Sequence, residues 1–292
     1  MIKEKRDCLE GTTEGNVGWG MINMDSELVT PSLSHTLGPG LGKVLNSYSP
    51  WSYDAGRGDA VPINHIVRLE TFGQRCLLGA KLQQEYRLRL VTTRDQSGKL
   101  QRRHLVINCD LFDQVNSSQL LVGQSEFWMA LTRPFAPPGE RNPVEVPAAL
   151  TFLNEHQPGE NDLVNRPIES YRYQPGKEGR FFHHSVPQVF HINQSDLYRH
   201  INTVRYMERA QDLLALLYQK VGRNAGRMRF RQISIYYRKP FVPGQRAEVD
   251  LDLVEQEDQF KGAIRFYHCD GEGVRSQRIS VAMKTQGPLT GN

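Results

Sequence analysis

Long apolar runs are missing from this sequence, and none approaches the roughly 18 residues that a membrane-spanning helix needs. No membrane span is therefore expected. The first residues, MIKEKRDCLEG, carry charge and no apolar stretch, so no secretory signal is expected either. Cysteine is scarce: Cys8, Cys76, Cys109 and Cys269 stand far apart, with no CxxC or other metal-like spacing. That predicts reduced thiols, a cytoplasmic location, and neither a disulfide framework nor a cysteine metal site. Blocks of Lys and Arg interleaved with aromatics are absent, as is zinc-finger spacing. A formal net charge of +4 is too mild to argue for nucleic acid, and no nucleic-acid partner is expected. Two short basic clusters, QRRH at 101–104 and RMRFR at 227–231, read as solvated strand faces or as a landing site for something acidic.

What is present is an ordinary globular composition, with 38% hydrophobic and 23% charged residues. At 292 residues the chain is one large domain or two of common size. Proline divides it: eight of the 16 fall between Pro134 and Pro175. That segment has little periodicity and many turn formers, and it reads as a long connection, 134–179, between two units. After it the elements are clear. FFHHSVPQVFHI reads as a strand. Ile201 to Val221 reads as a helix, with Val204, Met207, Ala210, Leu214, Leu217 and Val221 at spacings of three or four. Gly222 follows, where a helix end favours a left-handed residue. QISIYYR, AEVDLDLV, FKGAIRFYH and RISVAMKT then alternate as strands, the second with Ala247, Val249, Leu251 and Leu253 inward and Glu248, Asp250 and Asp252 outward. A run of strands with one amphipathic helix packs by burying the helix against the sheet.

The first half repeats this order faintly. GWGMINM reads as a strand. A helix over Ser32 to Ser49 is interrupted by Gly38, Pro39, Gly40 and Gly42. INHIVRLET, KLQQEYRLRLVTT, RRHLVINCDLF and QSEFWMALTR then supply four strands. Three segments result: 15–133, the connection, and 180–286.

The densest chemistry lies in INQSDLYRHINTVRYMERAQDLLALLYQKVG, Ile192 to Gly222. An acid, a phenol, an imidazole and an amide stand within a few residues at the mouth of the helix. On residue types alone this is either an elaborate helix cap or an active site. The portion SDLYRHINTVRYMER resembles the D-x-Y-G-H-V-N-N-x-x-Y segment of hotdog-fold acyl-CoA and acyl-carrier-protein thioesterases. Two such units, with the motif in the second, is similar to the layout of plant-type acyl-carrier-protein thioesterases. The resemblance covers Phe181 to Lys284 well and the first half through element order. It implies an α+β double hotdog: two antiparallel sheets, each wrapped round one long helix, joined as a pseudo-dimer. A homodimer of double hotdogs is the further assembly it leaves open.

By this resemblance Asp196 takes the place of the catalytic carboxylate. Tyr198, His200, Asn202 and Tyr206 match the motif, while Arg199 stands where Gly is common and Thr203 replaces the second Asn. The implied catalytic set is Asp196, His200 and Asn202, and the implied substrate contacts are Tyr198, Arg199, Thr203 and Tyr206. The first half has SELVTPSLSHTLG at the corresponding place and lacks the motif, so one site per chain is expected, with Tyr53, His65 and Glu70 as first-half candidates to line it. Glu208 reads as a solvated helix position. His183 and His184 have no third ligand at a sensible spacing, so no metal is expected, and no cofactor.

The chemistry implied is release of an acyl or polyketide chain from CoA or an acyl carrier protein. Asp196 would attack directly or activate water, with backbone N–H groups at the helix start facing the developing oxyanion. Enoyl-thioester hydratases of this fold resemble D-x-N-P-x-H, a spacing of five with proline; here the spacing is four without it, and cleavage leads over hydration. A cyclase acting on a thioester-bound intermediate in a biosynthetic pathway, or a non-catalytic acyl-binding protein, remains an alternative.

Overall fold

The computed structural model describes residues 6–23, 26–34, 60–115, 118–142, 145–165, 179–196, 200–256, 259–270 and 273–286. The chain divides into two compact units, Met1–Arg166 and Pro167–Asn292.

The first unit is an antiparallel sheet of five strands: β1 (Leu9–Asn16), β2 (Val61–Thr71), β3 (Lys81–Arg94), β4 (Leu100–Val115) and β5 (Ser118–Thr132), in the order β1-β3-β4-β5-β2. Alternation fixes its register. Tyr86, Leu88 and Leu90 of β3 stand opposite Cys109, Ile107 and Leu105 of β4, all buried. A slip of one residue would turn this whole set to the other face. GWGMINM does not form the expected strand: Trp19–Met21 is a single 3-10 turn, and the first strand lies earlier, at β1. LEGTTEGN of β1 offers only Leu9 as an apolar anchor. Backbone pairing to β3, from Leu9↔Leu88 to Asn16↔Lys81, holds it in place. Of the helix expected over Ser32–Ser49, residues 32–34 are helical and 35–49 lie outside the described residues.

The described part of the proline-rich connection packs onto this unit. Leu150, Phe152, Leu153 and Leu163 are buried. β6 (Glu155–His156) lies parallel to β3 beside Leu90 and Val91. Asp162 accepts both ends of the Arg89 guanidinium at 2.6 and 3.2 Å. Glu155 accepts from Arg103 at 2.9 Å and from Thr92 at 2.5 Å.

The second unit has the same topology. β7 (Arg180–Val189), β8 (Arg229–Tyr237), β9 (Arg246–Gln256), β10 (Gln259–Cys269) and β11 (Arg275–Gln286) form an antiparallel sheet ordered β7-β9-β10-β11-β8. Matching first strand to first and second to second, this is the order of the first unit, so the faint repeat in the sequence is a repeat of fold. One helix, α1 (Thr203–Lys220), packs on this sheet through Tyr206, Met207, Ala210, Leu213, Leu214, Leu217 and Tyr218. The buried face is broader than the expected stripe: Val204 and Val221, at the ends, are only half-buried. Leu214 sits over Gly262 of β10, where a Cβ would come within 2.5 Å of Leu214 Cδ1. Gly222 ends the helix at φ +80°, as the sequence suggests. Asp252 of β9, expected to face outward to water, is instead 5% exposed. It lies between Arg265 and His183 Nδ1, the latter at 2.7 Å.

Candidate functional site

The motif forms a pinched turn at the foot of α1. Ser195 and Ile201 make an isolated antiparallel bridge. Within it, the Asp196 N–H donates to the His200 carbonyl at 2.7 Å, and the His200 N–H donates to Asp196 Oδ1 at 3.1 Å. The carboxylate is thus tied to backbone in the turn that carries it. The turn is fastened from outside as well. The Asn202 N–H donates to the Gln194 carbonyl at 2.8 Å, and the Ile201 N–H to the Phe241 carbonyl at 2.9 Å. Asp196 and His200 are half-buried.

The helix cap is Asn202. Its extended backbone precedes Thr203, and its Oδ1 accepts the Val204 N–H at 3.0 Å. The cap and the acid, which the residue types alone could not separate, are different residues: Asn202 holds the helix and Asp196 holds the turn. The positive end of the α1 dipole therefore lies beside the carboxylate.

Tyr206 supports the turn from below. It is 1% exposed and packs edge-on to Phe190, Tyr237 and Phe266, with centroids 5.3 to 5.9 Å away. Its hydroxyl oxygen accepts the Phe241 N–H at 3.0 Å. Phe241 is also the residue whose carbonyl holds Ile201, so one phenol steadies the strand connection that steadies the turn. Burial pushes the Tyr206 hydroxyl pKa up. The Thr203 carbonyl accepts from the Tyr237 hydroxyl at 3.4 Å.

Tyr198, Arg199 and Tyr53 lie outside the described residues. Glu208 pairs with Arg205 at 2.8 Å on the helix surface. His183 and His184 occupy opposite faces of β7, the first on Asp252 and the second 2.8 Å from Lys220 Nζ. Glu70 pairs with Arg68 at 3.0 Å in the first unit. His65 is buried in the same unit, with Nδ1 2.9 Å from His104 Nε2.

This histidine pair was not legible beforehand. The rings stack at 13° with centroids 5.1 Å apart. Burial, with Arg102 nearby and, for His104, the His65 ring as well, keeps both neutral: His65 falls to about 4 and His104 to about 3. The basic cluster QRRH is accordingly corrected: Arg103 is 8% exposed and spent on Glu155, and His104 is 1% exposed, so neither belongs to a solvated landing surface.

No protein-family model matches the chain, and no curated protein matches it by sequence. Solved structures do. An acyl-ACP thioesterase from Bacteroides thetaiotaomicron matches with a TM-score of 0.61 at 13% identity, over 95% of this chain and 98% of that one. The 12:0-ACP thioesterase from Umbellularia californica gives 0.62 at 7% identity, over 95% and 94%. A Lactobacillus plantarum protein described as an oleoyl thioesterase gives 0.67 at 9% identity, over 95% and 96%. The chain has the hotdog thioesterase-like fold, and the match takes in both repeats.

Proposed function

We propose that the protein hydrolyses an acyl thioester of CoA or of an acyl carrier protein, with Asp196 as nucleophile or general base. The observation behind this reading is the pinched turn, which fixes a carboxylate by backbone hydrogen bonds at the positive end of α1. The thioesterases that share the fold support it. In the direct route an Asp196 oxygen attacks the thioester carbon. The tetrahedral oxyanion collapses, the thiolate leaves and takes a proton, and water hydrolyses the mixed anhydride. In the alternative route Asp196 takes a proton from water as the water oxygen attacks. Either way negative charge grows on the carbonyl oxygen. Donors placed for that oxygen are worth about 2.7–4 kcal/mol each in acyl transfer. The Val204 N–H is already taken by Asn202. We therefore assign that work to His200 and the remaining backbone at the helix start, and to Asn202 the holding of the helix end.

The test is mass spectrometry of products from a panel of acyl-CoA and acyl-carrier thioesters. Free acid is the expected product; a cyclic product would instead make the protein a cyclase. Asp196→Asn should lower turnover by at least about a hundredfold. Stability should change by about 1 kcal/mol or less, because an Asn Oδ1 still accepts the His200 N–H, through the weaker bond of a neutral acceptor. Near-normal turnover of Asp196→Asn on the true substrate would end the assignment.

A further inference from the structure

Three exposed apolar side chains of the first unit gather on two neighbouring turns. Trp19 is 80% exposed, Leu77 73% and Leu78 43%. Trp19 belongs to the 3-10 turn that follows β1. Leu77 and Leu78 belong to the turn that leads into β3. The Ala80 N–H closes that turn on the Leu77 carbonyl at 2.9 Å, with Gly79 at φ +77°. The two turns are stitched together: the Val17 N–H donates to the Ala80 carbonyl, and the Gly79 N–H to the Val17 carbonyl, each at 2.9 Å. Cys76, buried just before the leucines, gives its N–H to the Ser26 carbonyl at 2.7 Å. Trp19 follows Val17 by two residues and Leu78 precedes Gly79, so the indole and the leucines stand on one fastened knuckle.

Turn corners are ordinarily polar. One exposed leucine needs no explanation, but a group of large apolar side chains with a polar rim marks an interaction surface. The shape of this one selects the partner. Turn tips are convex, and a protein partner would have to supply a matching pocket for them. The headgroup layer of a bilayer is fluid and needs none. Tryptophan suits that layer, because its ring is apolar and its N–H finds an acceptor among the headgroups. The charge agrees. Segments 15–23 and 72–81 contain Arg75 and Lys81 and no Asp or Glu, and both bases are exposed. Glu27, opposite Arg75 in an isolated bridge, is half-buried. The charge that reaches water beside the apolar tip is therefore positive, the complement of an anionic lipid surface.

We propose that this knuckle docks the protein on an anionic bilayer surface, with Trp19, Leu77 and Leu78 entering the headgroup layer and Arg75 and Lys81 resting on it. The attachment is peripheral: no described helix is long and apolar enough to cross a membrane. Three side chains and two bases give reversible, salt-sensitive binding and not a permanent anchor. The hydrogen bonds that fix the two turns mean that neither has to order itself on docking, which removes one of the usual costs of binding. The proposal stands apart from the thioester reading, because docking is measured without substrate or turnover.

The experiment is flotation of the full chain with vesicles of phosphatidylcholine alone and of phosphatidylcholine mixed with phosphatidylserine. Wild type should partition at least about tenfold more strongly onto the anionic vesicles, and high salt should remove that gain. Lys81→Gln should cost about fivefold on the anionic vesicles and little on the neutral ones. The double variant Leu77→Ser, Leu78→Ser should cost at least about fivefold on the anionic vesicles. These side chains are exposed, so the thermal midpoint should stay where it is in every variant. Tryptophan emission should shift to the blue on binding and be quenched by brominated lipid, and Trp19→Phe should abolish both signals. No partitioning of wild type onto anionic vesicles overturns the proposal. So does binding that follows Lys81 alone, with emission unchanged and the leucine variant unaffected, since that is adsorption by charge without entry of the knuckle. A wild-type dimer in solution that the leucine variant dissolves, without vesicle binding, would assign the knuckle to a second copy of the chain and overturn it equally.

Discussion

Phe241 gives its N–H to the Tyr206 hydroxyl and its carbonyl to the Ile201 N–H, so one buried residue links the aromatic cluster to the Asp196 turn. Tyr206→Phe keeps the ring but leaves the Phe241 amide without an acceptor in a dry environment. A loss of about 1–3 kcal/mol is expected, measured by chemical denaturation, and a change near zero would show that the phenol is not a support. The buried histidines make a prediction about acid. Both bind protons more weakly in the folded chain than the unfolded value of 6.5, so the unfolded chain takes up more protons below that pH. Their contribution to stability is whole above about pH 6.5 and is lost as pH falls toward 4 and then 3. A displacement from 6.5 to about 4 corresponds to about 3 kcal/mol for His65 alone. His104→Gln should flatten the fall in thermal midpoint between pH 7 and pH 5; an unchanged slope would place acid sensitivity elsewhere. The two sets of residues differ in how far the sequence discloses them. Asp196 and His200 are four apart in a recognisable segment. His65 and His104 are 39 residues apart on different strands, and His65 stands at a register irregularity of β2 between Asn64 and Ile66. No local pattern announces such a pair.

Helix α1 and strand β10 meet where Leu214 lies over Gly262, and this contact sets how closely the helix approaches the sheet. Gly262→Ala places a methyl 2.5 and 2.8 Å from the two Leu214 methyls, too close without movement of the helix or the leucine. Overpacking of this kind costs about 1–3 kcal/mol. Shortening the opposing residue, as in the Leu214→Val, Gly262→Ala double variant, should recover part of the loss. Additive losses in the double-variant cycle would mean that the two do not share the contact. The elements themselves were largely legible, for a physical reason. In the second unit, alternation through Ile233 and Ile235, and through Val249 and Leu251, reflects burial on one face, and the sequence shows it directly. β1 was not legible because LEGTTEGN is held by hydrogen bonds to β3, which any sequence without proline can make. Asp252 was misplaced for a related reason. Strict alternation puts it on the outer face, but that face is covered locally by Arg265 and His183, so an ion pair is buried where water was expected.

Across the molecule the same strand order appears twice, and among the described residues the acid and imidazole in register stand at the helix start of the second copy. That division agrees with the fold likeness running over 95% of the chain at identities near ten per cent: topology persists where side chains have diverged. The connection was legible as a composition shift, but its packing was not. Its ion pairs, Arg89–Asp162 and Arg103–Glu155, join residues 52 or more positions apart. Those pairs also bear on the proposed use of a carrier-bound substrate. Acyl carrier proteins are acidic, and a chain of net charge +4 would attract them through its summed field. Since Glu155 occupies Arg103, that attraction comes from charge spread over the chain and not from a single QRRH patch. Such a field is screened within about 10 Å at 0.1 M salt. Carrier-bound substrates should therefore be preferred over small-thiol analogues of the same acyl group at low salt. The preference should shrink steadily toward 0.5 M as kcat/KM for the carrier form falls severalfold, while the neutral analogue stays nearly constant. Equal rates on both substrates at low salt would remove the carrier protein as partner and leave CoA as the bearer of the thioester.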